Sequence, residues 1–167
     1  MDTEGEFRIE LNRLEGFRFE VHFPNPAIAP LITDEGAPVG ADAGPSPSHL
    51  LGTAVANCLA ASLLFALRKH GNDAGPLRAV ATVRNVRNDK GRLRIGHIGV
   101  DLHLAVPGAS IQRLERILAQ FEDFCVVTQS VRSAIPVTVR VIDSAQTVLA
   151  MPPIVAAGPA QPPPADR

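Results

Sequence analysis

The chain has 167 residues, 46% of them hydrophobic, and a formal net charge of -1. That size and apolar content suit one ordinary globular domain with a real core, and the near-neutral balance points to neither nucleic acid nor a charged membrane surface. Trp and Tyr are absent, so Phe alone remains to stack on the bases of single-stranded nucleic acid.

The first residues, MDTEGEFRIELNR, are acidic and polar. They lack the basic region and apolar core of a signal peptide, so a cytoplasmic location is expected. From Phe7, Ile9 and Leu11 alternate with Arg8, Glu10 and Asn12, the period of a strand with one apolar face. A second alternating run, Phe17, Phe19, Val21 and Phe23, follows the turn at Leu14-Glu15-Gly16. The two runs predict a hairpin. Residues 24–48 are rich in Pro and Gly, which excludes helix over most of the segment. Leu31-Ile32 is a candidate edge strand. A loop this long in a compact domain is usually functional.

The stretch from Leu50 to Leu67 carries no charge. Ser46 or Ser48 can cap it as a helix, with Pro47 in the first turn. Arg68, Lys69 and His70 suit its C-terminal end, and Gly71 suits the C′ position. Eighteen residues without charge also reach the length of a membrane span. Thr53, Asn57, Ser62 and the abundance of small residues favour a buried core helix instead, one that a partner subunit could enclose. Leu51, Val55, Cys58, Ser62 and Phe65 are placed on one stripe of it.

Two more strands are predicted, Leu77–Val86 and Leu93–Val106, joined at the turn Asn88-Asp89-Lys90-Gly91. In the second, Ile98, Val100, Leu102 and Leu104 share one face, opposite Gly99, Asp101 and His103. Ser110 is read as the cap of a helix running to Phe124, with Ile111, Leu114, Ile117, Leu118 and Phe121 on its apolar face. Cys125 opens a short helix over 125–134, and Pro136 precedes a last strand, VTVRVI. One domain is expected over residues 1–143, followed by a Pro- and Ala-rich disordered or extended tail over 144–167. The order β-β-loop-α-β-β-α-α-β makes the fold class α+β with antiparallel hairpins.

Cys58 and Cys125 are the only cysteines. No CxxC spacing exists, which excludes a thioredoxin motif and a zinc knuckle. In a reducing compartment two cysteines are free thiols, a metal pair or a redox pair. Cys58 on an apolar helix also fits plain core packing. Cys125, at the start of a helix, sits where N–H groups and the dipole would favour a thiolate. The five histidines include no HxxxH or HExxH pair, so no metal site is expected. Phosphate-cradling and nucleophile-elbow motifs are absent.

Three segments together resemble the OsmC/Ohr family, the osmotically inducible and organic-hydroperoxide-resistance proteins. They are GPSPSHLLGTAVANCLAASL around Cys58, TVRNVRNDKGRLRIGHIGVDLHL over the strand pair, and FEDFCVVTQSVRSAIPVTVRV around Cys125. DEGAPVGADAGPSP also resembles the loop before the family's central helix. The resemblance implies an intertwined homodimer whose sheets wrap two long central helices. It also implies an oxidoreductase of the antioxidant, oxidative-stress type: a thiol peroxidase for organic hydroperoxides. Cys58 would be the attacking thiol and Cys125 the resolving one. No bound cofactor is implied; an external dithiol, of lipoyl type, would restore the thiols. No nucleic acid or membrane partner is expected.

The chain departs from the family in one respect. Active members carry a Glu about ten residues before the first cysteine, where this sequence has Ser48 and His49. Arg18 is the candidate for the arginine that orients the thiolate, and Asp34 or Glu35 are candidates to replace the missing acid. The alternative function is a non-catalytic member that binds a small apolar ligand, or a redox sensor.

Overall fold

The computed structural model describes residues 5–150. The chain falls into two compact units, the first ending at Leu51 and the second beginning at Gly52.

The first unit is a three-stranded antiparallel sheet in the order β1-β2-β3 with a loop behind it. The strands are β1 (Glu10–Glu15), β2 (Arg18–His22) and β3 (Leu31–Thr33). The predicted hairpin is present, with Glu15 paired to Arg18 across Gly16, whose φ of 52° favours glycine. The short edge strand at Leu31-Ile32 is β3. The first strand begins later than the alternation suggests. Phe7 and Ile9 precede it, and every residue of β1 is exposed.

The helix α1 (Pro47–Lys69) begins in the first unit and continues through the second. Its C-terminus closes as a Schellman motif: Asn72 N–H donates to Leu67 O and Gly71 N–H to Arg68 O, with Gly71 at φ 74°. The apolar stripe differs from the expected one. Gly52, Val55, Ala56, Leu59, Leu63, Ala66 and Leu67 are buried, while Cys58 and Ser62 are half-buried and Phe65 is 56% exposed. A helix apolar all round carries no period that says which face turns inward. At one point the approach is close: a Cβ on Gly52 would sit 2.7 Å from Val83 Cγ2. By length and composition α1 could also cross a membrane, and 39% of its most apolar window is buried within the chain. The rest is half-buried or exposed.

The second unit holds a four-stranded sheet in the order β4-β5-β6-β7. Its strands are β4 (Leu77–Arg87), β5 (Leu93–Leu104), β6 (Val137–Ile142) and β7 (Val148–Ala150). The β4–β5 turn forms as predicted, with Asn88 Oδ1 accepting the N–H groups of Lys90 and Arg92. Ile98, Val100, Leu102 and Leu104 are buried, as their alternation requires, and Val139 and Val141 of β6 join them. β6 runs parallel to β5, so the sheet is mixed rather than wholly antiparallel. A parallel neighbour needs a crossover, and residues 108–131 supply it. The fold is α+β.

That crossover departs from the single helix expected after Ser110. A 3-10 turn (Gly108–Ser110) comes first, then α2 (Leu114–Gln120), a second 3-10 turn (Phe121–Phe124) and α3 (Val126–Val131). Ser110 Oγ donates back to Pro107 O instead of capping a helix. Arg113, at φ 59°, sits in the left-handed region and breaks the run before α2. The predicted apolar face survives in part, with Ile111, Ile117 and Phe121 buried. The tail boundary also moves. Val148–Ala150 pairs with β6 as β7, so the chain beyond Ser144 begins inside the sheet. Residues 151–167 of that expected tail lie outside the described residues.

Asp143 ties this end of the sheet together. Its carboxylate accepts the N–H groups of Gly108, Ala145 and Thr147, and these bonds, Gly108 foremost, hold its pKa below the ordinary value. Asp101 is held down in the same direction, first by the hydrogen bonds of Arg140. A carboxyl whose pKa is lower folded than unfolded stabilises the fold above the unfolded value, about 3.9. That contribution is lost as pH falls through the lower folded value. The urea midpoint is therefore expected to hold from about pH 8 to about pH 5 and to fall steeply below about pH 4. Asp143→Asn should flatten part of that fall, and an unchanged acid limb would count against the assignment.

Candidate functional site

The two cysteines come together in the second unit. Cys58 is half-buried on α1, and Cys125 is fully buried at the residue before α3. Both are free thiols. They lie near enough, across a long sequence separation, for Cys58 to be among the groups that push the Cys125 thiol up. Cys125 Sγ–H also donates to Thr128 Oγ1 at 3.0 Å.

The electrostatics at Cys125 reverse the expectation of a helix-stabilised thiolate. Burial, first of all, pushes its thiol up, and the neighbouring Cys58 adds to the rise. Thr128 opposes it through its hydroxyl and its N–H. No side-chain capping bond forms at Cys125, and α3 is only six residues long. Removing the thiolate from water outweighs the weak end of so short a helix. Around this sulfur the backbone is closed: Gln129 N–H donates to Cys125 O, Gln129 Nε2 to Glu122 O, and Arg132 Nη2 pairs with Glu122 Oε2 at 2.6 Å.

The remaining candidates belong to the first unit. Arg18, on β2, lines a cavity of ≈ 300 Å³ with Glu15, Phe17, Asp34, Val39 and Gly40. Its ion pair is with Glu15, at 2.7 Å, and its Nε is buried without a hydrogen-bond partner. Asp34 shares that cavity but spends its oxygens on the loop. It accepts from the N–H groups of Glu35, Ala41 and Ala43. These bonds, Ala41 foremost, lower its pKa, and the Arg18 charge adds a smaller push in the same direction. Asp34 is thus the anchor of the loop, and Glu15 rather than Asp34 or Glu35 is the ion-pair partner of Arg18. Glu35 is half-buried, and its backbone carbonyl accepts from Asp42 N–H. Gly40 is required there, because a Cβ would run into Glu35 O.

Ser48 and His49 lie in the first turn of α1. Ser46 is the cap, and its N–H donates to His49 Nδ1 at 3.2 Å, with Ser46 Oγ 3.0 Å from the same nitrogen. His49 therefore fills the place that Glu takes in a capping box. Nδ1 is the acceptor, so the neutral ring carries its proton on Nε2. Ser46→Ala is expected to cost about 1 kcal/mol in urea unfolding. A loss below about 0.3 kcal/mol would argue against the cap.

Thr128 and Glu15 were not among the sequence candidates. Thr128 lies three residues after Cys125, the spacing that puts two side chains on one helical face. Glu15 lies three before Arg18 across a turn. Neither spacing alone distinguishes a partner from a bystander. Among the described residues no cluster of three or more His, Cys, Asp or Glu could hold a metal ion.

The family of OsmC-like proteins matches residues 40–140, a span that holds both cysteines. No curated protein matches the chain. Solved structures share the fold. An OsmC-like protein of unknown function from Vibrio cholerae superposes with a TM-score of 0.71 at 14% identity, covering 83% of this chain and 100% of its own. An OsmC-like protein from Mycoplasma pneumoniae gives 0.69 at 14% identity, with 86% and 99% covered. An organic hydroperoxide resistance protein from Elizabethkingia anophelis gives 0.64 at 17% identity, with 84% and 98% covered.

Proposed function

The chain belongs to the family of OsmC-like proteins, and on that premise we propose that it is a thiol-dependent peroxidase that reduces organic hydroperoxides through Cys58 and Cys125. One observation carries the reading: the only two cysteines, far apart in sequence, lie near enough in the fold for Cys58 to act on the Cys125 thiol. Their unequal burial supports the division of roles. Cys58 is half-buried and can meet a substrate, while Cys125 is enclosed. The Cys58 thiolate attacks the outer oxygen of ROOH, the O–O bond breaks, and ROH leaves with a proton taken up from solvent. Cys58 becomes a sulfenic acid. Cys125 then attacks the Cys58 sulfur and water leaves, giving the disulfide. An external dithiol, of lipoyl type, returns two electrons and two protons by thiol–disulfide exchange. No bound cofactor enters.

Arg18 is the proposed thiolate-orienting group. Ser48, His49, Asp34 and Glu35 support the surroundings rather than the chemistry, given the bonds His49 and Asp34 already make. The working form is a homodimer. In support, α1 leaves Ala54, Ala61 and Phe65 exposed, and β1 leaves Leu11 and Leu14 open. A cytoplasmic, reducing location agrees with two free thiols.

A second reading is a redox sensor that closes the disulfide once and turns over slowly. The upward push on the Cys125 thiol favours it, because a protonated thiol resolves slowly. Mass spectrometry after one equivalent of cumene hydroperoxide separates the two, with and without dithiothreitol. A Cys58–Cys125 disulfide and continued hydroperoxide consumption with reductant are expected. A disulfide without turnover supports the sensor. Fully reduced protein that leaves the hydroperoxide untouched overturns the peroxidase.

A further inference from the structure

We infer that Thr128 is the positioning residue of Cys125, holding its sulfur for disulfide closure and stabilising it as thiolate when it attacks or leaves. The inference rests on the reading of Cys58 and Cys125 as a redox pair, but not on the oxidant being a hydroperoxide.

Thr128 is fully buried, one of four buried polar or charged residues among the described residues. A buried hydroxyl needs a partner, and the one it has is the Cys125 thiol at 3.0 Å. The geometry follows from the short helix. Cys125 precedes its first residue and Thr128 is three on, so the hydroxyl lies over the sulfur. Cys125 itself is at zero exposure, so solvent does not solvate a charge there.

Disulfide closure demands such a charge. For a mixed disulfide on Cys58, the Cys125 thiolate attacks the Cys58 sulfur, the existing S–S bond breaks, and the outer thiol leaves with the proton Cys125 gave up. A threonine hydroxyl can serve both states, accepting from S–H and then turning to donate to S⁻. The other group acting on this sulfur is Cys58, which pushes its pKa up; the hydroxyl and N–H of Thr128 are the opposing influences, and no cation stands among the leading ones. Cys58 on α1 is the titratable side chain that faces it. Valine would fill the same space and offer no proton.

The test uses glutathione disulfide on the full-length protein. It forms a mixed disulfide at Cys58, releasing one glutathione, and closure by Cys125 releases the second. Rapid acid quench and mass spectrometry follow both steps from pH 6 to 9. In T128V the mixed disulfide should persist about tenfold longer, the loss of one hydrogen bond to a charged sulfur. The pH at which closure reaches half its maximal rate should also rise. T128S should close within about twofold of wild type, and the first step should change by less than about twofold in both variants. The inference is overturned if T128V closes at the wild-type rate, if T128S is as slow as T128V, or if wild type forms no Cys58–Cys125 disulfide. Wild type that closes with glutathione disulfide but ignores cumene hydroperoxide sinks the peroxidase reading alone.

Discussion

Cys58→Ser is expected to lower the steady-state reduction of cumene hydroperoxide by at least about 10³-fold, the scale seen when a nucleophile that acts as a unit with its partners is removed. Serine keeps the size of the side chain and loses the chemistry, because an alkoxide is inaccessible near neutral pH and a hydroxyl does not attack an O–O bond. Cys125→Ser should behave differently. Its first equivalent of hydroperoxide should be consumed at the wild-type rate, because Cys125 enters only after the O–O bond has broken. The product should then be a Cys58 sulfenic acid that dimedone traps, in place of a disulfide. Following hydroperoxide loss in a single turnover, then with a dithiol, reads both variants. If Cys58→Ser retained a tenth of the activity, or if Cys125→Ser lost the first equivalent, the roles given to the two sulfurs would be wrong. The contrast depends on burial: Cys125, at zero exposure, is poorly placed to meet a substrate from solvent.

The strands of this fold were legible in the sequence wherever one face is buried and the other is not. Ile98, Val100, Leu102 and Leu104 alternate with Gly99, Asp101 and His103, and the buried and half-buried classes follow that alternation residue by residue. The helix α1 was legible as an element, from Pro47 at its start to the Gly71 cap beyond its end. Its inward face was not. Alanines and leucines occur all round it, so Gly52, Ala56 and Leu59 carry no more periodic signal than Leu51, Cys58 and Phe65. The inward face is a tertiary fact, seen at one point where a Cβ on Gly52 would meet Val83.

The site divides in the same way. The cysteines stood out because there are only two, yet their proximity is a product of the crossover between β5 and β6. The state of Cys125 was misjudged from its place at a helix start. Dipole and N–H arguments are local, whereas desolvation depends on everything packed around the sulfur. Arg18 was found and its partner missed, because a two-residue turn folds Glu15 back onto it. His49 is the reverse case. It occupies the region where a family acid is expected, and the structure gives it the work that such an acid does in a capping box.

Phe121 and Phe124 offer a controlled measure of how firmly the Cys125 region is held. They are three residues apart at the two ends of one 3-10 turn. Phe121 is 1% exposed and Phe124 is 61% exposed. Residues three apart on such a turn lie on nearly the same side, so the period of the turn does not account for the difference in their burial. Phe121→Ala removes a fully buried ring and should cost about 3–5 kcal/mol. Set against a total of about 5–15 kcal/mol for an ordinary domain, that leaves a marginal protein. Phe124→Ala should cost less than about 1 kcal/mol, because most of the ring is already in water. Urea midpoints at one fixed protein concentration compare the two without the confusion that self-association introduces. Equal losses would contradict the burial assigned to the single chain. If the Phe124→Ala loss also grew with protein concentration, the ring would be covered by a second copy, and the exposed faces of α1 and β1 would be the first places to look for the rest of that contact.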